Sequence, residues 1–354
     1  MATGQEDGAS ARPFVEFDTF RLATWLESRV EGLKVPIKAT RFSGGQSNPT
    51  FLVTDANGRR YVLRKKPTGD LLPSAHAVDR EFRVMKALEG SQVPVPRMFC
   101  FCDDAAVLGT PFYLMDFVEG RIFWDPALPE LNAQDRAAVY GDMNRVIAAL
   151  HAIGPNDVGL GDYGRPSGFF ERQISRWTKQ YRASQTELLP AMENLTKWLP
   201  MHIPPDEEAR IFHGDLRMDN LIFHPTEPRI LAVLDWELST LGHPLADFAY
   251  HALPWRLTSE QFRGMAEKDI AALGIPSEAE YLHRYCKATR REVNQPEYEF
   301  CVAYSMFRLA AILQGILKRA QDGTAASETA FATGRKARVI AQAAWEQVVK
   351  AGAV

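Results

Sequence analysis

Residues 211–225 read IFHGDLRMDNLIFHP, a polar segment between two apolar runs. The segment carries His213, then Asp215, and then Asn220 five positions after that aspartate. Apolar flanks of this kind are typical of short buried strands, which would hold the carboxylate and the carboxamide at fixed positions. The pattern therefore indicates a rigid chemical site rather than an ordinary surface loop.

A short hairpin is predicted directly after this segment. The runs LIFH and RILAVLD are joined across PTEP and read as one strand out and one strand back. The returning strand ends at Asp235, so we expect Asp235 to lie near Asp215 and Asn220. Two carboxylates and a carboxamide without cysteine or paired histidines form an oxygen-only donor set, which suits Mg²⁺ rather than zinc.

The composition describes a chain that is able to bury a large core. It has 354 residues, of which 46% are hydrophobic, and this size favours two lobes over one compact unit. The 41 basic and 44 acidic residues give a net charge of −3, so no global field recruits nucleic acid or an anionic membrane. We therefore expect neither as a partner.

Cysteine usage and the N-terminus predict a cytoplasmic protein. The cysteines, which show no CxxC spacing and no histidine at metal-ligand spacing, are Cys100, Cys102, Cys286 and Cys301. They are interpreted as buried free thiols. Residues 1–13 are polar without an apolar core, which argues against a signal or an anchor, and residues 1–17 are predicted to form a disordered tail. No uninterrupted apolar segment approaches the length that spans a bilayer.

The periodicity divides the rest of the chain into two lobes. Residues 18–117 begin with a helix capped by Asp18 and continue as about five strands around one helix. Residues 118–354 are mainly helical. The helices of this second lobe are predicted at residues 133–153, 168–183, 258–273, 278–291, 297–320 and 328–350. The predicted fold class is therefore α+β, with a small β-rich N-lobe and a larger helical C-lobe.

The motifs within residues 213–237 resemble the protein-kinase catalytic loop, with His-Gly-Asp in place of His-Arg-Asp and LDWE in place of Asp-Phe-Gly. In this form they resemble the aminoglycoside phosphotransferase and choline kinase-like family. The likeness is closest to the phosphotransferase domains related to those fused to acyl-CoA dehydrogenases, and it is strengthened by FSGGQSNPTFLV, YVLRKKP and LLPSAHAVDREFRVMKAL. It covers residues 37–320. The resemblance implies a protein kinase-like two-lobe fold and transfer of the γ-phosphate of ATP to a hydroxyl of a small molecule.

The resemblance implies roles for the polar residues within residues 213–237. Asp215 would be the base that accepts the proton of the substrate hydroxyl, while Asn220 and Asp235 would hold Mg²⁺. The alternative for Asp215 and Asp235 is a pair of turn residues that cap strand ends. His213 would orient the loop, and an ordinary core histidine is the alternative.

Two further carboxylates follow the metal motif. Glu237 would either reach a second metal through water or cap the next segment. Asp247, in GHPLADFAY, would brace the catalytic loop, with a cap at a helix start as the alternative.

The N-lobe would supply a phosphate-binding cation by the same resemblance. Arg64 in YVLR stands where the kinase pattern has lysine, and Glu81 is its natural partner on the following helix. Strand alternation places Arg64 and Lys65 on opposite faces. A guanidinium stays charged and contacts phosphate bidentately, so the substitution keeps the role. The alternative is a surface cation and an unrelated helix-face carboxylate.

Two further N-lobe segments are candidates for nucleotide contacts. SGGQSN departs from GxGxxG, but its backbone N–H groups would still cradle phosphate, unless it is a plain hairpin turn. YLMDFVEG lies at the switch between lobes and would offer adenine a backbone donor and acceptor, unless it is a plain linker. The candidate residues are Ser43, Gly44, Gly45 and Ser47 in the first segment and Asp116, Phe117 and Val118 in the second.

The acceptor, the choice of ATP or GTP and the oligomeric state stay open at the level of sequence. Residues 255–310 carry eight basic and eight acidic side chains, which argues against a polycationic aminoglycoside. Arg172, Arg176 and Lys179 share a helical face beside Trp177. This face is either solvated or a site for an anionic or CoA-like acceptor.

Two other function classes remain. A pseudokinase or nucleotide-binding interaction module would use the fold without transfer, and the complete set of Asp215, Asn220 and Asp235 counts against it. A metal-dependent phosphohydrolase would leave Arg64 and Glu81 unexplained.

Overall fold

The computed structural model describes residues 17–42, 48–68, 76–205, 208–324 and 329–352, which form two compact units. The first unit takes the described residues up to Glu119 together with Asp235–Glu237. The second takes residues 120–234 and the described residues from Leu238 onward.

An antiparallel sheet of five strands forms the first unit, in the order β1-β2-β3-β5-β4. Its strands are β1 (Lys38–Arg41), β2 (Thr50–Thr54), β3 (Arg60–Lys65), β4 (Met98–Cys102) and β5 (Phe112–Asp116). β2 alternates half-buried with buried residues, so Phe51 and Val53 face the core. In the register of the sheet, Arg64 lies opposite Thr50 on one side and opposite Tyr113 on the other.

Among the described residues of this unit, three helices accompany the sheet, namely α1 (Thr19–Glu27), α2 (Val78–Leu88) and α3 (Ala105–Leu108). Asp18 caps α1 as predicted, because its carboxylate accepts a hydrogen bond from the backbone N–H of Phe20 at 2.9 Å. The sequence does not predict α3, since its four residues are too few to show a helical period.

Helices dominate the second unit. They are α4 (Ala133–Ala152), α5 (Phe169–Ser184), α6 (Pro190–Trp198), α7 (Pro244–His251), α8 (Ser259–Phe262), α9 (Glu278–Thr289), α10 (Gln295–Gln321) and α11 (Ala330–Lys350). Two antiparallel strand pairs complete the unit, β6 (Arg210–Phe212) with β9 (Thr240–Gly242), and β7 (Leu221–Phe223) with β8 (Ile230–Val233). The β7–β8 pair confirms the predicted hairpin. The β6–β9 pair is not predicted, because three-residue strands carry almost no periodicity.

The helix predicted at residues 258–273 is wrong. α8 ends at Phe262, since Arg263 adopts a left-handed backbone with φ 44°. Gly264 then packs so closely on Leu257 that a Cβ would lie 1.7 Å from the Leu257 carbonyl oxygen. The apolar period continues along the sequence, but the backbone turns away from the helix.

One expectation about apolar segments also needs correction. By length and composition, α10 is able to cross a membrane, although the sequence suggests that no segment reaches that length. Here 89% of its apolar window is buried inside the protein, as in the core helix of a globular unit. The chain thus has the predicted α+β fold, in which a small antiparallel sheet is joined to a larger helical part.

Candidate functional site

The segment 213–220 lies between two buried strands, β6 and β7. Ile211 and Phe212 are buried before it, and all three residues of β7 are buried after it. Gly214 has a φ of +86°, and a Cβ there would lie 2.9 Å from the Phe212 ring and 3.0 Å from the Leu238 carbonyl oxygen. Glycine is therefore required directly before Asp215.

The carboxylate of Asp215 accepts hydrogen bonds from three side chains. Arg217 donates from Nε to Oδ1 at 2.8 Å and from Nη2 to Oδ2 at 3.0 Å. The hydroxyl of Tyr250 donates to Oδ1 at 2.8 Å, and Nδ2 of Asn220 donates to Oδ2 at 3.0 Å. Both oxygens are thus held in fixed positions by charge-assisted bonds.

These contacts decide the charge state of Asp215. Burial by itself would raise the pKa of this carboxyl, but the nearby Arg217 charge and the hydrogen bonds from Arg217 and Tyr250 outweigh it. The net effect is a pKa below the ordinary value. Asp215 is consequently an anion at neutral pH, as a group that accepts a proton must be.

Both hydrogen bonds of the Asn220 amide nitrogen go to Asp215. Nδ2 donates to the Asp215 carboxylate, as described above, and also to its main-chain carbonyl oxygen at 2.8 Å. The side-chain atom that remains for a hard metal is its carbonyl oxygen. The main-chain carbonyl of Asn220 accepts a hydrogen bond from the N–H of Leu234 at 2.8 Å. The end of the β7–β8 hairpin is thereby fixed to Asn220, and Asp235 is the next residue along the chain.

His213 is fully buried and links the loop to the same hairpin. Its Nδ1 accepts from the backbone N–H of Asp215 at 3.1 Å, so the ring proton belongs on Nε2. Nε2 lies 2.9 Å from the Leu234 carbonyl oxygen, to which it donates. The ring therefore contacts the backbone on both sides of the site.

Asp247 contacts the backbone of the loop from within α7. Its two carboxylate oxygens accept from the N–H groups of His213 at 2.7 Å and Gly214 at 2.9 Å. Nε2 of the buried His151 lies 3.3 Å from Oδ2. Burial would raise the pKa of Asp247, but the hydrogen bond from His151 and the backbone bonds lower it overall. Asp247 does not serve as the helix-start cap, the alternative considered above, because no side-chain cap bond forms at the start of α7.

In the first unit, Arg64 lies among three carboxylates. Its Nε is 3.2 Å from Oε2 of Glu81, and its Nη2 is 3.0 Å from Oδ1 of Asp235 and 3.5 Å from Oε2 of Glu237. Lys65 lies on the other face of β3, where it is buried with Nζ 3.4 Å from the Leu108 carbonyl oxygen. This arrangement follows the strand alternation.

Glu81 is held by more partners than the sequence suggests. Besides Arg64, it accepts from the Tyr113 hydroxyl at 3.0 Å and from Nδ2 of Asn48 at 2.8 Å. Burial raises the pKa of Glu81, and the Arg64 charge only partly offsets this rise. Asn48 and Tyr113 lie in the segments SGGQSN and YLMDFVEG, but nothing in the sequence pairs either residue with Glu81, and only the folded structure shows these contacts.

Asp235 adopts a left-handed backbone with φ 64°. A non-glycine residue in such a conformation costs about 1–3 kcal/mol, and strain of this kind concentrates at functional positions. Glu237, two residues later, lies in the short 3-10 turn Trp236–Leu238, and its Oε2 is 3.5 Å from Nη2 of Arg64.

Of the remaining candidates for nucleotide contacts, the structure describes those at the end of β5 and directly after it, but not those of the SGGQSN segment. The N–H of Asp116 already donates to the Arg97 carbonyl oxygen at 2.9 Å, so it is not available to adenine. Phe117 and Val118 follow β5 outside any helix or strand, and the centroid of the Phe117 ring lies 4.3 Å from Cζ of Arg60. Ser43, Gly44, Gly45 and Ser47 lie outside the described residues.

A largely apolar pocket of the second unit adjoins the loop. Arg217 and Tyr250, which both bond Asp215, belong to its wall. Its other lining residues include Trp124, Tyr140, Met143, Asp219, His251, Trp255, Phe262 and Arg263. Trp124 is 64% exposed and lies beneath the guanidinium of Arg263, 5.3 Å from the ring centroid. The sequence gives no signal for Arg217 or Tyr250 as site residues.

Comparison with known proteins identifies the family. Residues 38–288 match the family described as "Phosphotransferase enzyme family", a span of more than half of the chain. The chain belongs to this family. The resemblance predicted from the sequence motifs is thus confirmed.

Two relatives of this phosphotransferase-family chain are similar over most of its length. A Ralstonia eutropha protein of known crystal structure, described as a candidate aminoglycoside phosphotransferase, is 51% identical, with 95% of this chain and 99% of that one covered and a TM-score of 0.87. The Mus musculus protein "Acyl-CoA dehydrogenase family member 10" is 46% identical over 322 residues, which is 90% of this chain and 30% of that protein. The chain therefore spans less than half the length of that curated relative.

A more distant solved structure shows the fold alone. It is an ADP-bound aminoglycoside phosphotransferase, 14% identical, with 93% of this chain and 99% of that chain covered and a TM-score of 0.57.

Proposed function

We propose that the chain is an ATP-dependent phosphotransferase that moves the γ-phosphate to a hydroxyl of a small molecule. The observation that carries this proposal is the Asp215 carboxylate, which is kept ionised by Arg217 and connected by Tyr250 to a pocket. A carboxylate in this state accepts the proton of an alcohol as the alcohol oxygen attacks phosphorus.

A nucleotide donor is supported by the first unit and by a fold neighbour. Arg64 is a cation positioned by the buried Glu81, an arrangement that holds phosphate oxygens in kinase-like sites. An ADP-bound enzyme shares the fold. The backbone of Phe117 and Val118 completes the proposed nucleotide contacts, together with Ser43, Gly44, Gly45 and Ser47 of the SGGQSN segment.

Asn220 and Asp235 are the residues that would hold Mg²⁺. Each offers one hard oxygen, and within the described ranges no group of three or more His, Cys, Asp or Glu side chains is placed to bind a metal. Such a donor set fits an ion that completes its shell with water and phosphate. When bound, Mg²⁺ supplies positive charge to the phosphate oxygens of the nucleotide. Glu237 is a further carboxylate beside Arg64 that water would connect to the ion.

The pocket beside Asp215 is the proposed acceptor site. Its wall is mainly aromatic and aliphatic. Among the described residues, Asp219 is the one carboxylate of this wall, and it is ion-paired with both Arg263 and Arg217. A pocket whose acidic group is already neutralised does not attract a polycation. We therefore propose an alcohol without positive charge, rather than an aminoglycoside, as the acceptor.

Replacement of Asp215 tests the proposal directly. Asp215→Asn keeps the shape and part of the hydrogen bonding but has no basic oxygen, so it should bind Mg·ATP about as tightly as the wild type while losing most transfer activity. Calorimetry measures the first property, and transfer of labelled γ-phosphate to a library of small alcohols measures the second. Some rate should survive, since phosphoryl transfer depends mainly on positioning and charge.

The matched control is Asp103→Asn, the same change at an exposed carboxylate. It should leave both properties unchanged. If Asp215→Asn loses Mg·ATP affinity along with activity, Asp215 is a metal ligand and not the base. If the wild-type protein binds Mg·ATP but transfers phosphate to no alcohol, the chain is a nucleotide-binding module.

A further inference from the structure

A second arginine lies close to Asp215 and has no role in the proposed function so far. Arg308 stands in the middle of α10 and is only 3% exposed. Within the part of the chain that the structure describes, its guanidinium has neither a carboxylate within ion-pair distance nor a hydrogen-bond acceptor. Buried arginines are almost always paired, because a charge taken out of water is costly without a counter-charge.

Aromatic rings take the place of a counter-charge. Cζ of Arg308 lies 4.9 Å from the ring centroid of Tyr250 and 5.4 Å from that of Trp177. These cation–π contacts offset part of the free-energy cost of desolvating the guanidinium, and they hold it between α5 and α7. They leave its N–H donors without acceptors. An oxyanion would satisfy these donors in a bidentate geometry.

Two observations connect Arg308 to the site. Tyr250 carries Arg308 on its ring while its hydroxyl bonds Asp215 and its side chain lines the pocket. Arg308 also interacts electrostatically with the Asp215 carboxylate. The nitrogens of Arg308 are not completely enclosed, although the residue is 3% exposed, so a small anion is able to reach them.

We propose that Arg308 is the centre of an oxyanion subsite beside Asp215. The anion would be either a carboxylate or phosphate group of the acceptor, or the phosphoryl group being transferred, so this inference rests on the proposed function. Trp177 forms one wall of the subsite. Cζ of Arg176 also lies 5.2 Å from the centroid of that ring and adds positive charge nearby. The basic and aromatic face of α5 thereby gains a partner on α10.

Binding of inorganic phosphate tests the subsite without any transfer activity. Phosphate is titrated by calorimetry into the nucleotide-free wild type, into Arg308→Gln, and into Arg319→Gln as the control at an exposed arginine of the same helix. The wild type and Arg319→Gln should bind phosphate alike, and Arg308→Gln about tenfold more weakly or worse, the scale of a lost charge-assisted hydrogen bond. Equal binding by all three proteins, or no binding by the wild type at millimolar phosphate, overturns the proposal.

The source of the anion is distinguished with acceptors that differ in charge alone. Hydroxy acids and uncharged alcohols of matched length are compared as acceptors for the wild type and Arg308→Gln. A rise in KM confined to the hydroxy acids assigns the subsite to the acceptor, whereas an equal fall in kcat for both assigns it to the phosphoryl group. Unchanged kinetics for both overturns the proposal. Should no alcohol accept phosphate from the wild type, the proposed function fails while the phosphate titration still decides the subsite.

A direct measurement covers the case in which Arg308→Gln does not fold. Wild-type crystals soaked in selenate should show an anomalous peak within hydrogen-bond distance of the Arg308 guanidinium, and Arg308→Lys, which keeps the charge, should retain weakened phosphate binding. Selenate peaks elsewhere but none at Arg308 contradict the subsite.

Discussion

At the scale of single residues, Asp215 depends on Arg217 for its charge state. Burial pushes the pKa of Asp215 upward and Arg217 pushes it downward, with a net lowering from the ordinary 3.8. A carboxyl whose folded pKa is depressed stays ionised until the pH falls through that lowered pKa. The transfer rate should therefore hold as the pH falls from neutrality through the usual titration range of aspartate.

Arg217→Met should move the acid limb of the pH–rate profile to higher pH. Without the guanidinium the effect of burial is no longer offset, and losing an opposite charge at this distance raises the pKa of a carboxyl by about 1–3 units. The measurement is kcat/KM against pH for the wild type, Arg217→Met and the exposed control Arg319→Met. An acid limb that stays in place in Arg217→Met would show that another group controls it.

Arg64 and Lys65 make a second comparison between adjacent residues. Arg64→Ala should lower phosphoryl transfer by about 10²-fold, the scale for losing a preorganised donor to the transition state. Lys65→Ala should instead lower Tm with little change in kcat, because Lys65 is buried on the opposite face of β3. Melting curves and single-turnover rates separate the two effects. A larger loss of kcat in Lys65→Ala would reverse the assignment.

Single residues also show what the sequence is able to predict at this scale. The contact between Arg64 and Glu81 was implied by the resemblance to kinases, and strand alternation alone placed Arg64 and Lys65 on opposite faces of β3. The roles of Tyr250 and Arg308 were not predictable from the sequence. Each looks like an ordinary residue of an apolar helix, and its role depends on contacts across three helices.

At the scale of elements, the contact between α10 and α11 depends on one glycine. A Cβ at Gly334 would lie 2.6 Å from the backbone of Leu317, so α11 approaches α10 as closely as its backbone allows. Gly141, in α4, has open space in the same position. The two glycines thus provide a matched pair.

Gly334→Ala should destabilise the protein by about 1–3 kcal/mol, the usual cost of overpacking. Gly141→Ala should raise stability by about 0.5–1 kcal/mol, since alanine favours a helix and meets no neighbour. Urea unfolding of both variants measures the difference. Equal changes in the free energy of unfolding would mean that α11 shifts to make room for the new methyl group.

Long elements were more predictable than short ones. α4, α9 and α10 carry enough apolar positions to show their period, and their bounds lie within two residues of the predictions. α3 and the β6–β9 pair are too short for any period. The failure at residues 258–273 has a different cause, since Gly264 fits against Leu257 only in the folded unit.

At the scale of the whole molecule, the proposed function predicts that ATP and Mg²⁺ bind to the protein together. Thermal stabilisation by ATP should depend on Mg²⁺, because Asn220 and Asp235 offer too few oxygens to hold the ion without phosphate. Melting curves with ATP, with and without Mg²⁺, measure the dependence, and Asp235→Asn should weaken it while leaving the ligand-free Tm close to that of the wild type. Equal stabilisation by ATP in both conditions contradicts a metal site at these residues.

Helix α7 matters most to anyone who wishes to redesign the acceptor. Its eight residues include both Asp247, which holds the loop backbone, and Tyr250, which bonds Asp215 and lines the pocket. A library that randomises this helix would alter selectivity and displace the base at once, so most of its members would be inactive. Trp124 and Phe262 line the same pocket from other segments. Mutational searches for new substrates should start from these two positions, where recognition can change while the reacting carboxylate stays in place.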